Sequence, residues 1–388
     1  LNNIQFTLSG SYRDKHSYSE QLLGNAFSAY SMSNSDGAVL SNRPGQKVYD
    51  NNGVELTNIL PGESTYYASY LPNEYFSRYD IYGKEVNVYA NIKATFAQKT
   101  GNFYNRLKIG ADFKSDGNLG RGKVYDLEAP PNRILSSENS SPRPRKYSDI
   151  PFINQISAYL EDNLVWSMGK RALISQIGFR YDNFAGKSII SPRVNISFEV
   201  IPSTFYIKGG LGVLAKAPTA LYLYPQDAYF DLVHFNNIGS STVPAAEQLF
   251  LASTKVYQTS NSDLKIASNR KSEIGFDLNI NKKKLSVTAY YENLINGYRL
   301  GTTTDTYKLI TYKQYEIAQT NTGTIPTLKE KSTNKIFLSY ATPQNNSRSI
   351  SKGVEFDLDL GRIDAIRTSF VISGAYMNTV QWNDGYSF

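Results

Sequence analysis

Glu85-Val86-Asn87-Val88-Tyr89-Ala90-Asn91-Ile92-Lys93-Ala94-Thr95-Phe96 is the stretch that decides the fold. Val86, Val88, Ala90, Ile92, Ala94 and Phe96 alternate with Glu85, Asn87, Tyr89, Asn91, Lys93 and Thr95, a period of two that belongs to a strand and not to a helix. The same beat opens the chain, where Ile4, Phe6, Leu8 and Tyr12 alternate with Gln5, Thr7, Ser9, Ser11 and Arg13. Each such strand has one apolar and one polar face.

A lipid bilayer offers no water to unpaired backbone groups, so among β structures only a closed barrel spans it, with strands of roughly 9–11 residues. The alternating segments have that length. The reading is all-β: an antiparallel transmembrane β-barrel of a bacterial outer membrane, with the apolar face on lipid, the polar face on a lumen and long extracellular loops. No window of this chain approaches the ~18 apolar residues of a membrane helix, which excludes a helical membrane protein. The formal charge of +7 could suggest nucleic acid. Lys and Arg are scattered through turns and loops, however, without one stripe interleaved with stacking aromatics, and nucleic acid is rejected as a partner. With no Cys, disulfides play no part. No signal peptide opens the chain at Leu1, although a protein of this class needs one for export.

Outward from 85–96, strands are expected near 3–13, 84–97, 103–114, 154–167, 171–184, 190–200, 204–216, 270–281, 285–296, 350–360 and 366–378. Connections alternate short and long. The long ones are 14–82, 115–153, 217–269 and 297–349, and the second carries Pro130, Pro131, Pro142, Pro144 and Pro151, which forbid a central strand. The turns are placed at 98–102, Met168-Gly169-Lys170, Ile201-Pro202-Ser203, Lys282-Lys283-Lys284 and Gly361-Arg362. Single-chain bacterial barrels have even strand numbers, and those of about 22 are plugged transporters. Eleven strands with four decorated loops therefore read as part of a barrel of about 22 strands. On this reading residues 1–388 are one portion of the barrel domain, with plug and C-terminal strands outside the sequence, and Asp384–Phe388 begin a loop.

Motifs that imitate enzymes do not survive their contexts. Gly117-Asn118-Leu119-Gly120-Arg121-Gly122-Lys123 has the spacing of a phosphate loop, but Val124 replaces the Mg²⁺-binding hydroxyl and Pro130-Pro131 follow in place of a helix. Gly210-x-Gly212-x-x-Ala215 lacks the helix a dinucleotide fingerprint must open, because Pro218 follows. Its glycines are expected to leave room for a neighbouring backbone or a plug. His16 and His234, the only imidazoles, are assigned to different loops, so neither a zinc site nor a catalytic triad has material. Asp227 and Asp231 could hold a hard cation, but without metal-loop spacing they read as solvated loop acids. No metal, cofactor or catalytic residue is assigned.

Two outer segments are candidate ligand contacts. In 217–235, Tyr222, Tyr224, Tyr229 and Asp231 combine rigid amphipathic rings with an acid; the alternative is a rim girdle or loop packing. In 121–146, Arg121, Lys123, Arg133, Arg143, Arg145 and Lys146 could grip an anionic ligand or lipopolysaccharide phosphates; the alternative is a solvated loop. On the strands, Arg180, Glu199, Lys208, Glu273, Asp277, Glu355 and Asp357 all fall on the polar side of the alternation and are assigned to the lumen.

Several phrases then carry a family resemblance over about 83–380. They are Gly178-Phe179-Arg180-Tyr181-Asp182, Ser191-Pro192-Arg193-Val194-Asn195, and Gly209-Gly210-Leu211-Gly212 leading to Lys216-Ala217-Pro218-Thr219 and Leu223-Tyr224-Pro225. Asn261-Ser262-Asp263-Leu264-Lys265, Glu273-Ile274-Gly275-Phe276, Val287-Thr288-Ala289-Tyr290-Tyr291 and Gly353-Val354-Glu355-Phe356 follow. In order and spacing the chain resembles the barrel of a TonB-dependent outer-membrane transporter of the RagA/SusC-type or a related branch. Lys216 stands where the family often has Arg, and Ile266-Ala267 where it often has Pro-Glu. The resemblance implies active import of a scarce nutrient, no enzyme activity, a TonB-type energy-transducing partner acting through a plug, and a surface lipoprotein lid in some branches. Outer-membrane lipid and lipopolysaccharide would surround it. A passive porin and a non-transporting adhesin or assembly barrel are the rival functions, and peptide, glycan, siderophore and cobalamin all stand open as cargo.

Overall fold

All eleven alternating segments are strands in the computed structural model, which describes residues 2–24, 36–37, 39–42, 46–56, 74–126, 129, 131, 143–363 and 365–385. In chain order the strands are β1 (Asn3–Gly24), β2 (Val39–Ser41), β3 (Glu74–Thr100), β4 (Phe103–Asn118), β5 (Gly122–Tyr125), β6 (Ile153–Met168), β7 (Arg171–Phe184), β8 (Lys187–Ile201) and β9 (Phe205–Lys216). After one helical turn, α1 (Ala220–Leu223), come β10 (Ala228–Asn236), β11 (Phe250–Tyr257), β12 (Ala267–Ile280), β13 (Lys283–Gly301), β14 (Tyr307–Asn321), β15 (Thr324–Ser339), β16 (Thr342–Ile363) and β17 (Thr368–Asn383). One antiparallel sheet runs β1-β3-β4-β6-β7-β8-β9-β12-β13-β16-β17, with β5 paired to the outer part of β3. Each strand lies beside the next alternating segment in sequence, as an up-and-down meander requires.

Register fixes the two faces. Directly opposed antiparallel residues share a face, so the series Asn163, Gln176, Asn195, Gly210, Glu273, Tyr290 and Gly353 traces one face across seven strands. Arg180, Glu199, Lys208, Asp277, Glu355 and Asp357 have the same parity on their strands. All seven charged residues assigned by alternation therefore share one face. Val86, Val88, Ile92, Phe276, Leu278, Val354 and Phe356 occupy the other. That face is bare: Phe6 is 74 %, Leu8 81 % and Ile274 65 % exposed. A large apolar side chain left in water forgoes about 1.5–3 kcal/mol of burial, and across eleven strands only a hydrocarbon environment makes such a surface tenable.

The structure corrects several boundaries. β1 runs on to Gly24 and β3 begins at Glu74, so both ends of the expected loop 14–82 are paired strand. There the apolar beat fades while ladder pairing continues, and polar cross-strand contacts hold the extension: Lys15–Glu85 at 2.9 Å, His16–Asp80 at 2.6 Å and Arg78–Glu20 at 3.0 Å. β13 and β16 extend likewise, pairing as far as Gly301–Thr342. The β12–β13 turn takes only Asn281 and Lys282, both at positive φ, leaving Lys283 and Lys284 in β13. The last described turn is at 365–367, because a bulge carries β16 past Gly361-Arg362. Both histidines sit in strands, His16 in β1 and His234 in β10.

The long connections are folded. β10, β11 and β2 form a three-stranded sheet, and β14–β15 is a separate hairpin. Their apolar residues pack as Val48, Leu249, Leu251 and Leu328, and as Phe230, Leu232, Leu338 and Tyr340. A third cluster joins Ile153 and Phe184 at the strand tops to Leu223, Leu264 and Ile266. The dry core thus lies in a cap beyond the strand ends, while the long sheet keeps its apolar face outside.

Candidate functional site

The connection from β4 to β6 and that from β9 to β12 leave the same side of the sheet, opposite the short turns, and meet in a cleft. Asn118 turns the chain toward it: its Oδ1 accepts from Lys84 N–H at 2.8 Å and from Gly120 N–H at 2.9 Å, at the bend that leads into β5. The glycine-rich stretch is therefore a turn into a strand, as its context implied. β5 then takes residues 143–146 as a neighbour through the Lys123–Arg145 bridge. From the other connection come α1 and Tyr224-Pro225-Gln226-Asp227. The cleft has a volume of 660 Å³ and is lined by Arg121, Lys123, Arg145, Asp227, Tyr224 and Tyr229 among others. That size suits a small-molecule ligand.

Six of the ten candidate ligand residues thus come together: Arg121, Lys123, Arg145, Lys146, Tyr224 and Tyr229. Lys123 Nζ donates to Gln226 Oε1 at 3.3 Å, and Arg145 Nη2 donates to the Tyr224 carbonyl. Burial pushes the Lys123 ammonium below its ordinary pKa, and the Arg145 charge pushes the same way. Burial also lowers Arg145, partly offset by Asp227. The Tyr229 hydroxyl is raised, first by burial and then by Asp227. Arg121 borders the cleft with its guanidinium 4.0 Å from the centre of the Tyr82 ring.

Three others lie elsewhere. Tyr222 packs edge-on against Tyr298 at 5.8 Å in the third apolar cluster. Arg143 and Asp231 are buried against each other, Nη2 lying 2.8 Å from both carboxylate oxygens, with the guanidinium over the Tyr229 ring. Asp231 is therefore no solvated loop acid: it sits in β10, where Tyr229-Phe230-Asp231-Leu232-Val233 is strand-forming sequence. Asp227 accepts from Thr259 N–H at 3.1 Å, and no group of three metal-ligating side chains occurs among the described residues. Arg133 lies outside the described residues. Asp149 and Gln226 line the cleft without having been singled out by the sequence.

On the polar face of the sheet, charges meet across strands. Arg180 donates to both oxygens of Asp112 at 3.0 Å and to Asp182 at 2.9 Å. Lys208 bonds Asp277 at 2.6 Å and Ser286 at 2.8 Å, Glu273 meets Lys271 at 3.3 Å, and Glu199 and Asp357 accept from Tyr206 and Ser373. Glu355 faces Thr288 across the ladder. Glu161, paired with Lys108 and Arg193, belongs to the same face, and strand parity alone would have found it. Gly210 needs its missing side chain here: a Cβ would come within 2.7 Å of Asn195 Oδ1 and 3.0 Å of Glu273 Oε1. At Gly210 those two side chains fill the space, while a Cβ at Gly212 would meet only Arg193 and Pro192 at 3.8 Å.

A family model described as TonB dependent receptor-like, beta-barrel matches residues 2–388. Among solved structures, the siderophore receptor PirA from Acinetobacter baumannii is similar at 18 % identity and TM-score 0.44, over 74 % of this chain and 40 % of that one. The outer membrane transporter YddB from Escherichia coli aligns at 10 % identity and TM-score 0.48, over 98 % and 40 %. The RagAB peptide importer aligns at 12 % and 0.47, over 81 % and 32 %. This chain thus spans two-fifths or less of these three structures. No curated protein matches.

Proposed function

The chain belongs to the TonB-dependent receptor β-barrel family, an outer-membrane transport family and not one of enzymes, and from that premise we propose that it takes part in active import of a scarce nutrient. In this reading the cap cleft captures the ligand at the outer mouth. A TonB-type complex then supplies energy through a plug inside the barrel, and the ligand leaves along the polar face. The observation that supports capture is the meeting of two long connections in one cleft of ligand size, with rings and cations together. Tyr224 and Tyr229 offer flat amphipathic surface at low entropic cost. A surface lipoprotein lid would cover the same mouth. RagAB, named as a peptide importer, makes peptide one cargo to test first.

The test uses the full-length protein in its outer membrane. Depletion of peptides and oligosaccharides from the medium is compared between the parent, a strain lacking the protein and a strain lacking the TonB-type partner. Energy-dependent depletion that disappears in both deletions supports import; depletion that persists without the partner would indicate a porin. Tyr224→Ala should slow uptake while barrel assembly, read from the mobility shift on heating, stays normal. Unchanged uptake in that variant moves capture away from the cleft.

A further inference from the structure

Lys123 and Arg145 stand directly opposite each other on adjacent backbone segments. Lys123 N–H donates to the Arg145 carbonyl at 2.9 Å and Arg145 N–H to the Lys123 carbonyl at 3.1 Å. A pair that exchanges both bonds sends its side chains to the same side of the ribbon. Like charges so placed repel, and burial in the cleft removes water that would screen them. Their side-chain hydrogen bonds go to the neutral oxygens of Gln226 and Tyr224. Among the described residues neither makes an ion pair, and the acid that influences Arg145, Asp227, lies beyond ion-pair distance.

The approach is built in by a glycine. Gly122 has φ +70°, and a Cβ there would lie 1.9 Å from the Arg145 oxygen and 2.9 Å from Tyr147 N. Only a residue without a side chain lets 143–147 close on β5 and face the two cations together. Lys123 also pairs with Ile81, whose parity on β3 continues that of Glu85, Asn87 and Asn91, so the cations share the side of the sheet that carries the polar face.

We propose that the Lys123–Arg145 pair is a receptor for a doubly charged oxyanion of the phosphate type, whose attached body lies against Tyr224, Pro225 and Tyr229. The proposal rests on the cleft being the capture site. A dianion neutralises both cations where a single carboxylate leaves one uncompensated. The guanidinium offers a planar fork and the ammonium a point charge, a combination suited to phosphate oxygens. The cleft far exceeds a bare phosphate, so the group is carried on a sugar- or ring-sized body. That body is either a soluble phosphate monoester or the phosphorylated sugar of lipopolysaccharide.

Calorimetry on the purified full-length protein in detergent separates these cases, with glucose 6-phosphate, glucose and lipopolysaccharide as probes. Glucose 6-phosphate should bind at least about tenfold more tightly than glucose, with affinity falling as salt rises. Lys123→Gln with Arg145→Gln should weaken it by about tenfold or more without lowering the melting temperature, since the substitutions relieve a repulsion. Gly122→Ala should weaken it with both cations present. Binding of lipopolysaccharide alone, lost in the double variant, supports the oxyanion site and assigns it to the lipid. Absence of binding by every phosphate probe, or equal binding by the double variant, overturns the proposal. Normal uptake by a double variant that has lost phosphate binding keeps the oxyanion site and removes the cleft from the import route.

Discussion

Arg143 Nη2 lies 2.8 Å from both carboxylate oxygens of Asp231, and the two side chains are 0 % and 1 % exposed. The pair pins residue 143, just before the cleft's basic ribbon, to β10 of the cap. Removing one partner of such a pair leaves a buried charge without compensation, at about 3–5 kcal/mol. Arg143→Ala should therefore loosen the cap, seen as faster protease cleavage within 143–150 and 228–236 of the full-length protein, while the barrel still assembles. Replacing both residues together by apolar ones of similar volume should recover most of the resistance. Parental resistance in Arg143→Ala would mean that the pair does not hold the cap.

A second buried group makes the cap sensitive to acid. His234 Nδ1–H donates to the Lys313 carbonyl and its Nε2 accepts from the Ser253 hydroxyl, both at 2.6 Å, which joins β10, β11 and β14 through a neutral ring. Burial holds its pKa down to about 4, against about 6.5 unfolded. Between these values the unfolded segment binds the proton that the folded one refuses. Stability is therefore full above about pH 6.5, falls as pH drops towards 4, and changes no further from this group below that. Protection from hydrogen exchange at 228–236, taken relative to the intrinsic amide rate at each pH, should fall over that window. In His234→Gln the window should vanish, and an unchanged pH profile in that variant would remove His234 as its cause.

The strands were legible because a bilayer imposes a physical alternation: Val86 to Phe96 must meet lipid, and the partner positions must not. The pattern failed where that pressure ends. Asp14 to Gly24 and Glu74 to Gly83 pair as strand, but His16, Glu20, Arg78 and Asp80 interrupt the apolar face that Tyr18, Leu22 and Phe76 would continue. The cap was legible only in pieces. The sequence marked Lys123, Arg145, Tyr224 and Tyr229 as candidates, and the fold unites them. It also marked Arg143 and Asp231, whose composition is that of a ligand site but whose burial is tertiary. Separation by 88 positions hides such a pairing from any local pattern. Gly122 looked like a turn glycine; that it makes room for the Arg145 backbone is visible only in three dimensions.

The two outer strands of the sheet carry a further consequence. Among the described residues β1 pairs only with β3 and β17 only with β16, so each presents one unpaired edge. In hydrocarbon every unsatisfied backbone group costs several kcal/mol. Residues 1–388 produced alone in detergent should consequently aggregate or pair edge to edge. A monodisperse monomer that shifts mobility on heating would show that these edges find partners within the chain.

Phe276, Asp277 and Leu278 give the sharpest test of which face meets lipid. Asp277 lies opposite Tyr206 and Ser286 on the polar face, bonded to Lys208, while Phe276 lies opposite Ile207 and Val287 on the apolar one. Since the side-chain period is two, a slip of one residue would exchange the faces completely, and no intermediate arrangement exists. The chain has no Cys, so single cysteines introduced at 276, 277 and 278 report on their own positions. In outer membranes carrying the full-length protein, a water-soluble maleimide should label position 277 at least about tenfold faster than 276 and 278, because a thiol in hydrocarbon is shielded from reagent and disfavoured as thiolate. Phe276→Arg, which would set a charge in lipid, should lower assembled protein far more than Asp277→Asn, at a cost of about 2–4 kcal/mol near the midplane. Labelling at 276 and 278 with none at 277 would turn the sheet inside out and place the apolar face on the lumen.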